Sequence, residues 1–171
     1  MTKNTTLKTI LVGFIAISVQ HIAFGQADKE LAQLANALSS TKISLQSGIA
    51  ASEREGRPIS AKFEVEGGKL QLSVYTMKGD NFSEVIIDHQ TGRTAKTEAI
   101  TEGDDLADAK KQIAACAKSK KSLQSAVDEA EQASAGYRAV SVSPNVSDGR
   151  AVAVVTLLKG TSSKSVSEPL E

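Results

Sequence analysis

Three observations in the sequence predict an α+β fold made of two tandem repeats, each with helices packed on an antiparallel three-stranded sheet. The tetrapeptide SLQS occurs at Ser44 to Ser47 and returns 78 residues later, at Ser122 to Ser125. Around each copy the apolar residues recur at helical spacing, and after each copy the period changes to two. Glycine-containing turns separate the alternating stretches, which is the pattern of hairpins rather than of parallel crossovers.

The chain opens with Lys3 and Lys8, followed by an apolar run from Ile10 to Val19 and by Ala23 and Gly25 at the −3 and −1 positions of a small-residue cleavage site. That is the form of a secretory signal peptide cut between Gly25 and Gln26. The run is shorter than the ~20 residues needed to span a bilayer, and Gln20 and His21 interrupt it. The expected organisation is a leader over 1–25, a first unit over 26–100 and a second over 101–171. The expected location is periplasmic or secreted, with membrane contact only through an uncleaved leader. Without Lys3 and Lys8, 18 basic residues face 20 acidic ones, a formal charge of −2. Nucleic acid is thereby an unsuitable partner, because phosphate binding requires a clustered basic excess. The single Cys116 has no partner for an internal disulfide, so stability must come from packing.

In the first unit a lead-in helix is expected over 28–40, with Leu31, Leu34 and Leu38 along one face. Ser44 caps a second helix carrying Leu45, Ile49 and Ala50, which ends near Gly56 and Pro58. Ser39-Ser40-Thr41 weakens helix without forbidding it, so the sequence leaves open whether the two helices are continuous. In the core of the unit, 42–98, Ile59, Ala61, Phe63 and Val65 alternate with Ser60, Lys62, Glu64 and Glu66. Gly67-Gly68 turns the chain into Leu70, Leu72 and Val74, and a third strand runs from about Phe82 to Asp88.

The second unit reads the same way. Asp105 is placed to cap a lead-in helix over 105–119 that carries Leu106, Ala109 and Ile113. In the core, 120–168, Ser122 caps a helix with Leu123, Ala126, Val127 and Ala130 at i, i+3, i+4 and i+7. Strands follow at Arg138 to Val142 and Ala151 to Leu158, with a weaker last strand around Lys164 to Ser167. Downstream of the helices the offset between copies becomes 81, so that Gly79 faces Gly160 and Val85 faces Val166. Units of this size are marginal alone, so the two are expected to dock.

The capped helix, ISAKFEVEGGKLQLSVYT, and SEVIIDHQTGRTAKTE with its Asp-x-x-x-Gly ending resemble the PepSY domain, an exported bacterial module found in propeptides of metallopeptidases. The resemblance covers about 42–98 well and 120–168 more weakly, and VSEPLE in the second copy lacks the Asp-x-x-x-Gly ending. It implies binding or regulation rather than catalysis.

Candidate chemistry is sparse. Asp88 and His89 are neighbours, yet the strand pattern stops there, so Asp88 is expected to bond turn amides and Gly92 to take a positive φ. His89 is then an exposed passenger at the tip. Cys116 occupies the position of Leu38 in the first copy and is expected to be a small buried hydrophobe. A zinc site would have to gather His89, Cys116 and carboxylates from distant segments, without paired spacing. Asp104, Asp105 and Asp108 fit a helix start. The lysines of AKKQIAACAKSKK read as a solvated helix face. No GxSxG, HExxH, GxGxxG or P-loop pattern occurs.

The expectation is a non-enzymatic protein without cofactor or metal that binds or regulates another extracytoplasmic protein, possible targets including a peptidase. The alternative is a periplasmic protein that takes a small ligand or a metal in a cleft between the two repeats.

Overall fold

The computed structural model describes residues 24–117 and 119–171. The expected leader lies outside the described residues, except that Gly25 falls with Gln26 in the first turn of the first helix. The elements are α1 (Phe24–Leu38), α2 (Leu45–Ser52), β1 (Arg57–Glu66), β2 (Lys69–Lys78), β3 (Asn81–Ile87) and β4 (Thr94–Ile100), then α3 (Gly103–Cys116), α4 (Leu123–Gln132), β5 (Arg138–Ser147), β6 (Arg150–Lys159) and β7 (Ser162–Pro169).

The class is α+β, but the expected pair of three-stranded sheets is corrected. All the strands form one antiparallel seven-stranded sheet in the order β4-β3-β2-β1-β5-β6-β7. β1 and β5 join the halves, with Ala61 opposite Val142 and Lys62 opposite Ser141. Strand edges left open in each half are paired with each other instead, which satisfies backbone groups that two separate sheets would expose. The first half also has a strand that was not expected, β4, placed at the outer edge.

Register recurs between the halves at the offset of 81. Tyr75 lies between Ser60 and Glu84, and Thr156 lies between Ser141 and Ser165. A bulge interrupts β1 between Pro58 and Ser60, and another interrupts β5 between Ala139 and Ser141.

Alternation gives the sheet two unlike faces. One carries Ala61, Phe63, Leu72, Val74, Val142 and Val155, buried against Leu45 and Ile49 of α2 and Leu123, Val127 and Ala130 of α4. Burying a side chain of this kind contributes about 1.5–3 kcal/mol. Ser44 and Ser122 stand at the N-caps of α2 and α4, accepting from the amides of Ser47 and Ser125. A turn at Ser39 to Thr41 separates α1 from α2, with amide bonds back to Asn36, Ala37 and Leu38.

The other face is polar at its centre, and α3 lies over it: Gln112 accepts from Ser60 Oγ at 2.9 Å and donates to Ser143 Oγ at 3.4 Å. Ala109 and Cys116 of the same helix pack with Ile59, Tyr75 and Phe82. The expected cap at Asp105 is corrected as well. Glu102 is the N-cap of α3, without a side-chain cap bond, and Asp105 already lies in the first turn. Gly103 at φ +79 bends the chain straight into the helix after β4, so the helix begins before Asp105 can cap it.

Candidate functional site

The Asp88–His89 pair builds a turn. Asp88 Oδ1 accepts from the amides of Gln90 at 2.9 Å and Thr91 at 2.8 Å. These two N–H groups, Thr91 first, hold the carboxyl below its usual range. Asp88 and Arg93 bond amide to carbonyl at 2.8 Å, as do Gly92 and Asp88. Gly92 takes φ +71, a conformation that costs a side-chain-bearing residue energy. The turn connects β3 to β4.

Nor is His89 an exposed passenger. Its ring is half-buried, with Nδ1 3.1 Å from Gln90 Nε2. Its carbonyl accepts from the Lys42 amide at 3.0 Å and from Thr41 Oγ1 at 2.9 Å. Gln90 also reaches across to the Ser40 carbonyl. The turn therefore clasps the junction between α1 and α2. In the other half the Leu170 carbonyl does the same, accepting from the amides of Lys120 at 2.7 Å and Lys121 at 3.0 Å.

Cys116 is buried among Ile59, Tyr75 and Phe82, and burial pushes its thiol up while nearby Arg57 opposes that. A raised thiol far from solvent is a poor nucleophile. Among the described residues no group of three or more His, Cys, Asp or Glu is placed to hold a metal ion.

The chemically richer surface is the polar sheet face. Lys62 Nζ pairs with Glu64 at 2.8 Å and lies 5.7 Å from the Tyr75 ring centre. Buried Ser73 donates to Glu64 at 3.0 Å. Burial, with Glu84 and Glu64 alongside, holds the Tyr75 phenol protonated far above its ordinary range. Glu84 is raised first by its own desolvation and also by neighbouring Glu64, against the pull of Lys62. Asp105 is raised mainly by desolvation. Acids thus outnumber the nearby base, Lys62, at this end of the face among the described residues.

Beside this cluster a groove of about 430 Å³ opens where the first half meets the second. Leu31 and Leu34 of α1 form its helix side. Ala61, Phe63, Val140, Val142 and Val154 line the strand side together with Ser60, Ser141, Ser143, Thr156, Ser163 and Ser165, and Lys62, Glu64 and Tyr75 complete the lining. Its origin is a size deficit between corresponding positions. Under α3, Tyr75 and Phe82 are 3 % and 8 % exposed and fill the space. At the positions 81 residues later stand Thr156 and Ser163, and the groove takes the missing volume. The groove was not anticipated from the sequence, although the offset that aligns the repeats contains the signal.

No family model matches the chain, and no curated protein matches it. Among solved structures it is similar to the crystal structure of a "putative lipoprotein" from Clostridium difficile 630, with 12 % identity, a TM-score of 0.40, and coverage of 70 % of this chain and 79 % of that one. Among the described residues no helix is long and apolar enough to cross a membrane.

Proposed function

We propose that this chain is an exported, non-catalytic protein of two tandem PepSY-like repeats that binds or regulates another extracytoplasmic protein. One observation carries the reading: the groups that could have served chemistry are consumed by structure. Asp88 spends its carboxylate on two turn amides, and Cys116 is buried under α3. Acid–base catalysis needs a positioned partner within hydrogen-bond reach of a substrate, and His89 Nδ1 faces its neighbour Gln90 instead. What remains available is surface: a broad sheet with outer strands β4 and β7 and a groove on its polar face. The duplicated register at an offset of 81 supports the tandem reading, with the two repeats fused through β1 and β5. The leader-like opening supports export.

The test is affinity capture with the purified exported protein from periplasmic extract, followed by calorimetry with each captured protein in pure form. Saturable binding to a defined protein is expected. Capture of nothing that binds saturably when purified, or an assayable activity lost in Cys116→Ala with the fold intact, would overturn the reading.

A further inference from the structure

We infer that the outer strand β4 is a homodimer interface, pairing antiparallel with β4 of a second copy of this chain about a twofold axis through Thr97. This goes beyond the protein-binding reading above and does not depend on it. β4 ends the sheet, so one row of its N–H and C=O groups has no strand beside it. Thr94, Ala95, Lys96, Thr97 and Ala99 are all exposed, and the strand is open to a partner.

The strand reads as its own complement. With Thr97 opposite Thr97, TAKTEAI sets Lys96 against Glu98 of the second copy, Glu98 against that copy's Lys96, and Ala95 against Ala99. Residues directly opposite in an antiparallel pair share a face, where opposite charges attract and like charges repel. Moving the axis to Lys96 sets lysine on lysine, and moving it to Glu98 sets glutamate on glutamate. An odd shift would oppose side chains that point to different faces. Charges on an outer strand ordinarily guard it against pairing; these admit a copy of the same strand in one register.

The ion pair already present does not use up these charges. Lys96 Nζ and Glu98 lie 2.6 Å apart within the strand, with side chains 58 % and 39 % exposed. In the dimer that pair is kept and set against its inverse, giving a square of alternating charge with like charges only on the diagonals. Glu98 also stands opposite Glu84 of β3, and the second copy's Lys96 brings another cation to this pair of acids. The bulge in β4 lies clear of the axis: Ala95 is the extra residue between Lys96, opposite Ile86, and Thr94, opposite Ile87. In the Thr97 register it falls at the ends of the pairing.

The other outer strand fits a copy less well. In β7 Lys164 is held 4.6 Å from the Tyr137 ring centre, Pro169 has no amide to offer, and the Leu170 carbonyl just beyond is bonded to the amides of Lys120 and Lys121. A contact of β4 with β7 would be head-to-tail and would build open chains. One strand pairing buries less than the about 1,000 Å² of a stable interface, so the dimer is expected to dissociate on dilution.

Sedimentation velocity on the exported protein, over a dilution series reaching about 1 mM, measures this. Dimers are expected at the upper end. Lys96→Glu and Glu98→Lys each bring like charges together at two symmetric places and should weaken the dimer at least about tenfold. The double variant Lys96→Glu/Glu98→Lys inverts the square and should dimerise as the parent does, and the two single variants, mixed, should form a heterodimer. Circular dichroism verifies each fold. Thr97→Cys reports the axis, because opposite residues lie about 4.5–5.5 Å apart at Cα, within reach of a disulfide. Oxidation should give a covalent dimer that Lys96→Glu suppresses.

A parent that stays monomeric throughout overturns the inference and leaves the edge to a strand of another protein. Dimers that survive both single variants, a folded double variant that does not recover, growth beyond two copies, or equal cross-linking in the Lys96→Glu background would each overturn it as well.

Discussion

At the scale of single residues, Gly48 illustrates how side-chain volumes are matched across the sheet. A Cβ at this position in α2 would collide with Leu72 Cδ2 and lie 3.1 Å from Leu72 Cγ, and Leu72 is fully buried with little room to turn. The corresponding positions of the second half carry Ala126 and Ala153, both fully buried, so a glycine–leucine pair is exchanged for two alanines. Gly48→Ala is expected to destabilise by about 1–3 kcal/mol, as overpacking does, and a urea midpoint equal to that of the parent would contradict this. Glu84 makes a pH prediction. Its folded pKa is raised, so the native carboxyl keeps its proton after the unfolded one has lost it. The stability this gives is full below the unfolded value of about 4.3 and is lost as pH rises through the folded pKa. Glu84→Gln removes that loss, so the variant should gain on the parent as pH rises above the unfolded value of about 4.3. A melting-temperature gap that stays constant as pH rises rules the idea out.

At the scale of elements, legibility in the sequence followed burial. Strands β1, β2 and β6 each hide one face under a helix and alternate clearly, so their period was readable. β4 is TAKTEAI, an outer strand with most of its residues exposed, and without a buried face it carries no apolar alternation. Its existence is set by pairing with β3, a tertiary fact. The start of α3 is hard to read for a related reason: an acid in the first turn and an acid at the cap look alike in sequence. The caps at Ser44 and Ser122 were legible because helix, cap and repeat all pointed to the same positions. Each hydroxyl satisfies an otherwise orphan amide, so Ser44→Ala and Ser122→Ala are each expected to cost about 1 kcal/mol. Chemical denaturation of the two single variants measures this, and a loss at one site alone would show that the halves are not capped equivalently.

For the whole molecule, the seam decides behaviour. β1 and β5 are joined by backbone pairing, and Gln112 bridges them from above. On the apolar face Gln46 donates to Asp128 at 3.0 Å and Glu131 at 2.8 Å, while Arg138 reaches the Ile43 carbonyl. Burial lowers the Arg138 guanidinium, which nearby Glu131 offsets. One cooperative thermal transition is expected, and fragments 26–100 and 101–171 should be unfolded when expressed apart. Two calorimetric transitions would show the halves to be independent. The repeat in the sequence announced a duplicated unit, yet not that the two sheets fuse, because the residues of the seam look no different from those of an ordinary strand. The groove was hidden for the opposite reason: it arises from what Thr156 and Ser163 lack, and small hydroxyl residues leave no motif. The most direct test of the account as a binding protein is hydrogen–deuterium exchange with and without a captured partner. The predicted result is a contiguous set of protected amides on one surface of the sheet or along its outer strands β4 and β7. No protected segment at a saturating concentration of the partner would contradict it.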